Sequence, residues 1–124
     1  MSAYSNDQEI TDLLWGTPMP IAVRLNSEMV LLHIKGSCSL IVNDANLLQE
    51  KLPDLKALAS QVRSTLVLAA TDAVAEISQK SSNIEQLKNL KPEFSMLLKM
   101  KAVDGLSGFG LAIGNLDVQS IEQA

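Results

Sequence analysis

Between residues 29 and 42 the chain alternates with period two. Leu32, Ile34, Gly36, Cys38, Leu40 and Val42 fall on one face, and His33, Lys35, Ser37 and Ser39 fall on the other. Such alternation marks a strand with one buried and one wet face, and Gly36 in its middle marks a bulge or a close backbone approach. A shorter strand is expected over Ile21–Leu25, joined to it by a hairpin through Asn26-Ser27-Glu28. Before it, Gly16, Pro18 and Pro20 force an extended or turned path. Residues 1–12 are polar and predict a frayed lead-in.

At Asn43-Asp44 the period becomes helical. Either residue can cap a short helix over Ala45–Lys51. Pro53 suits the first turn of a long helix to about residue 80. Leu55, Ala59, Val62, Leu66, Ala69 and Ala73 step along it by four, three, four, three and four, a stripe for packing on the sheet. Over residues 66–77 a second stripe appears through Val67, Ala70 or Thr71, and Val74, so this helix calls for two partners. Ser81-Ser82-Asn83 ends it and caps a helical turn over 84–90. Pro92 opens a further helix with Phe94, Leu97, Leu98 and Ala102 inward, expected to close at Asp104-Gly105. A last strand is expected over 109–118, with Phe109, Leu111 and Ile113 on one face, returning to the opening sheet. The fold class is α/β in the α+β sense: three to four strands against one long helix and two to three shorter ones.

Composition fits one small domain. The chain has 124 residues, 47% of them hydrophobic and 19% charged. That suffices to bury a core and is too apolar for disorder. Ten Lys and Arg against fourteen Asp and Glu give a net charge of −4, with the cations scattered and 3% aromatic residues, which argues against a nucleic-acid partner. Residues 102–124 carry Asp104, Asp117 and Glu122 and no cation, the pattern of a solvated acidic end. The longest apolar run, residues 66–70, is far below the ~20 residues of a membrane span. Met1-Ser2-Ala3-Tyr4 has neither a basic nor an apolar leader, and Ser2 excludes myristoylation. A cytoplasmic location is expected.

Little in the chain suits catalysis. One His and one Cys fall short of the about four ligands of a zinc site, and a single Cys makes no disulfide framework. His33 shares a strand face with Ser37 and Ser39, but four residues along a strand span ~13 Å, too far for a base and its nucleophile. Cys38 sits on the apolar face as a small hydrophobe, and Trp15 is expected to anchor the neighbouring turn. The glycines of Gly108-Phe109-Gly110-Leu111-Ala112-Ile113-Gly114 do not open a helix, so they suit tight turning and close strand packing rather than a nucleotide. No metal, cofactor or small-molecule substrate is expected.

The segment Leu14-Trp15-Gly16-Thr17-Pro18-Met19-Pro20-Ile21 resembles the Trp-Gly-Thr-Pro-x-Pro-Ile element of the bacterial, virion-core-protein-like branch of the SPFH superfamily (stomatin, prohibitin and flotillin, also called Band 7). Residues 29–42 are similar to that branch's strand, valine-x-leucine-x-x-x-glycine-x-tyrosine-serine, with Cys38 standing at the tyrosine. Residues 110–121, ending Gln119-Ser120-Ile121, are similar to its closing strand. The resemblance implies an SPFH-like domain over 13–121, with 1–12 as lead-in and 122–124 as tail. Family members carry a further sheet portion ahead of the Trp-Gly-Thr-Pro element and continue into a coiled coil or a zinc-binding tail. The implied function is a non-catalytic scaffold that oligomerises or binds protein partners, associated with membranes through partners or flanking segments. Val67, Ala70 and Val74 are the candidate contact surface. The alternative is a monomeric binding module for a membrane protein or another protein.

Overall fold

The computed structural model describes residues 4–124. Their order is β1 (Glu9–Gly16), β2 (Ile21–Leu25), β3 (Glu28–Val42), α1 (Ala45–Lys51), α2 (Leu55–Ser78), α3 (Ile84–Asn89), α4 (Lys91–Ser107) and β4 (Leu111–Gln123). The architecture is α+β: four antiparallel strands in one open sheet and four helices, one of them long, among the described residues.

β3 is the central strand. Leu32 pairs with Ile21 of β2 and Gln123 of β4 at once, and Lys35 with Gly16 of β1 and Ser120 of β4 at once. β4 therefore runs along one edge of β3, while β1 and β2 lie end to end along the other. They form a single long lane interrupted at residues 17–20.

The interruption is closed by Thr17. Its backbone N–H donates to the Ile34 carbonyl at 3.0 Å, and its Oγ1 accepts from the Ile34 N–H at 3.1 Å. A buried threonine thus carries the ladder across a stretch whose two prolines cannot donate. Thr17→Val keeps the shape and strands the Ile34 N–H. It is expected to lower stability by about 1–3 kcal/mol in urea unfolding, whereas a near-neutral result would remove this role from the hydroxyl.

The hairpin between β2 and β3 turns on two residues. Asn26 and Ser27 have φ of 47° and 75°, the paired left-handed geometry of a two-residue loop matched to strand twist. Asp44, Asp54 and Asn83 cap α1, α2 and α3, accepting from the N–H groups of Leu47, Ala57 and Gln86. Asp54 as cap places Pro53 outside the helix it was expected to open.

Helices α2 and α4 lie antiparallel on one face of the sheet. Glu76 pairs with Lys101 at 3.0 Å and Lys80 with Glu93 at 3.8 Å, fixing the order of the turns. α2 packs on β1 and β2, and α4 on β4. Between the layers Leu32, Ile34, Leu40, Leu58, Leu66, Phe94 and Leu98 are almost wholly removed from water. The other sheet face is open and holds His33, Lys35, Ser37 and Ser39, as the alternation predicts.

Several expected boundaries move. The described part of the lead-in is docked: the Tyr4 hydroxyl donates to the Leu52 carbonyl at 2.9 Å, and residues 9–12 already belong to β1. Residues 1–3 lie outside the described residues. The tail is part of β4, where Glu122 pairs with His33 and the Ala124 N–H donates to Leu31 at 2.8 Å. Gly105 does not end α4, which runs on to Ser107. The left-handed glycine is Gly110, at φ 79°, and an added Cβ there would strike the Asp44 carbonyl. Leu55, expected inward, is 61% exposed, and Leu58 takes its place in the core.

Candidate interaction surface

The second stripe of α2 finds its partners inside the chain. Ala70 and Val74 are fully buried and Val67 is half-buried, because α2 is flanked by β1 and β2 on one side and α4 on the other. Ala70 and Val74 therefore cannot meet a second molecule, which corrects the expected contact surface; only Val67 reaches solvent.

The large apolar side chains left outside are different ones: Leu14, Met19, Met29, Leu31 and Leu55 are exposed elsewhere, and four more lie along α2 and α4. Leu68 is 71% exposed, Met96 and Met100 are each 68%, and Val103 is 44%. Met96, Met100 and Val103 step by four and three along α4, one helical stripe on the side opposite the buried Phe94, Leu98 and Ala102. Since Gly105 packs on Thr65 and Lys101 reaches Glu76, Leu68 lies level with Val103 across the helix pair. The outer face of the helical layer thus carries four large apolar side chains left exposed among the described residues.

Two open grooves border this face. One, of about 200 Å³, lies between α2 and α4 against Ile77, Leu97, Met96 and Met100, and the two ion pairs rim it. The other, of about 850 Å³, runs along the far side of α2 to the β1–β2 break. Its floor is Ala59, Val67 and Leu68, its opposite wall Gly16 and Pro18, and its polar rim Lys56, Ser60, Arg63 and Ser64. Arg63 Nε donates to the Leu14 carbonyl at 2.9 Å, capping the exposed edge of β1 with a side chain where another strand could add.

The residues weighed for chemistry are kept apart. His33 is half-buried opposite Glu122 on the open sheet face, and Ser37 accepts a long bond of 3.4 Å from Gln119 Nε2. Cys38 is on the inner face, where burial pushes its thiol from the usual 9 to about 11, against the smaller opposing pull of Arg63. A thiol so held is the neutral, inert form. Burial also raises the Tyr4 hydroxyl, with Asp54 adding to the effect. Trp15 is 4% exposed over Gly36, an anchor as expected, and its indole Nε1 has no hydrogen-bond partner among the described residues.

A shallow polar depression near the start of β1 gathers Glu9, Asp12, Ser37, Ser39 and Asn115. Among the described residues no group of three His, Cys, Asp or Glu side chains is placed to hold a metal. None of the described helices is long and apolar enough to cross a membrane.

Comparison with family models and with curated proteins gives no match. The sequence pattern missed Leu68, Met96 and Met100. The signal for Met96 and Met100 was the apolar character of α4 on both sides, which its inward stripe alone does not use up, and Leu68 stands outside both stripes of α2.

Proposed function

We propose that the chain is a non-catalytic scaffold domain of SPFH (Band 7) type, which joins copies of itself or protein partners in the cytoplasm, at the periphery of membranes reached through those partners. The observation that carries this reading is the outer face of the α2–α4 layer. Leu68, Met96, Met100 and Val103 stay exposed although the core beneath them is filled. Large apolar side chains left exposed along one face of a folded domain are a mark of an interaction surface.

The motif residues add support. Trp15, Thr17 and Gly36 meet where β1, β2 and β3 are stitched together, so the Trp-Gly-Thr-Pro element has a structural reason to travel with this strand arrangement.

Replacing Met96 and Met100 together by lysine tests the surface. Both side chains are solvent-facing, so the far-UV spectrum and unfolding midpoint should be unchanged. Self-association measured by light scattering should weaken by an order of magnitude or more, because two charges would be forced into an apolar contact. Unaltered association would remove this face from the account. A second reading, a monomeric binding module, draws on the groove on the far side of α2.

A further inference from the structure

The larger groove differs from the rest of the surface in its charge. The chain is acidic, with a net charge of −4, yet the side chains lining this groove include two cations and no carboxylate. Lys56 forms no ion pair, and the Ser60 and Ser64 hydroxyls make no hydrogen bond, among the described residues. Arg63 spends its Nε on the Leu14 carbonyl, which steadies the side chain and leaves the remaining guanidinium N–H groups to donate. The rim therefore presents two cations and two hydroxyls that are open to solvent, beside the apolar Val67, Leu68 and Ala59.

We infer that this groove binds an acidic amphipathic segment of a partner protein, its carboxylates at Lys56 and Arg63 and its aliphatic side chains on Val67 and Leu68. Spacing favours a peptide over a single phosphate. Seven helical residues separate the two cations, a rise of about 10 Å, which suits two carboxylates two turns apart on an amphipathic helix. The apolar floor has no use for a free anion, and it gives the aliphatic residues of such a segment a dry seat. The inference rests on the binding-module reading and names its partner's chemistry; the groove shares Leu68 with the outer α2–α4 face, but Met96 and Met100 lie outside it.

The test uses the full chain and a dye-labelled, capped peptide of Leu and Ala bearing two glutamates at the Lys56–Arg63 spacing, followed by fluorescence anisotropy. Saturable binding is expected, weakening roughly tenfold when the glutamates become glutamines and by a similar factor in Lys56→Glu. Ser64→Glu should weaken it as well while leaving the Arg63–Leu14 bond in place, so a folding defect cannot account for the loss. Binding should persist in Met96→Lys/Met100→Lys. No saturable binding, equal binding of the glutamine peptide, or indifference to both Lys56→Glu and Ser64→Glu would overturn the inference. So would loss of binding in the methionine double variant. Displacement of the peptide by millimolar inorganic phosphate would overturn it in favour of a small-anion site, and displacement by phosphatidylglycerol vesicles in favour of a membrane contact.

Discussion

Phe94→Ala is expected to lower the unfolding free energy by about 3–5 kcal/mol, the range for deleting a buried aromatic ring. Phe94 is wholly buried in the first turn of α4, where the helix meets the sheet. Collapse around the cavity is resisted by the next residue: Ser95 Oγ accepts from the Val118 N–H at 3.1 Å and holds α4 against β4. A small domain has about 5–15 kcal/mol in total, so the variant would sit near the edge of folding. Urea unfolding with an unchanged slope should show the loss as a lower midpoint. A loss below about 1 kcal/mol would mean that the α4–β4 contact is not the centre of the core. Phe94→Leu, which keeps most of the volume, should cost less than half as much.

The second large effect is expected at Gly36→Ala. An added Cβ would collide with the Asp117 backbone carbonyl and come within 2.7 Å of the Trp15 ring. Neither neighbour can step aside. The carbonyl belongs to the β3–β4 ladder, and Trp15 is pinned opposite Gly36 in the β1–β3 pairing. One methyl should cost about 3 kcal/mol, at the upper end of overpacking effects. Trp15 is the sole tryptophan, so its emission reports on the same place. A red shift together with lost stability is expected. Unchanged emission and stability would contradict the close approach of β1, β3 and β4 at this point.

Both predictions bear on how much of the molecule its sequence discloses. β2, β3 and α1 were legible nearly to the residue, because strict alternation and an Asp cap leave few alternatives. β1 was hidden, since residues 9–12 read as polar lead-in and 13–16 as an extended or turned path. Thr11 and Asp12 face Ser39 together in a bulge, with Asp12 at φ 57°, so the segment shows no period of two. β4 was shortened for the same reason: Gly114 and Gln119 are extra residues relative to β3, and each bulge resets the alternation. The end of α4 was misplaced because glycine favours left-handed geometry without requiring it. Gly105 is helical beside Thr65, and Gly110 makes the turn.

The surface was less legible than the fold. Two apolar stripes on α2 signal two partners, but not whether the second belongs to the same chain. Ala70 and Val74 are buried within the chain, where α2 packs against α4 and against two strands that precede it by 30 to 46 residues. Conversely, Met96 and Met100 look like ordinary core residues until the crossing of α2 and α4 fixes which side of α4 is inward. The basic groove was invisible for a related reason, since Lys56 and Arg63 gain a common wall only when the β1–β2 break is brought beside α2.

The central claim is that the exposed α2–α4 face makes this domain an assembly unit. The most direct test is molar mass in solution, by light scattering on a sizing column over a range of concentrations. The account predicts a mass that climbs to a multiple of 13.4 kDa and returns to 13.4 kDa in Met96→Lys/Met100→Lys. A wild-type chain that stays at 13.4 kDa at every concentration would contradict self-assembly and leave the binding-module reading in its place.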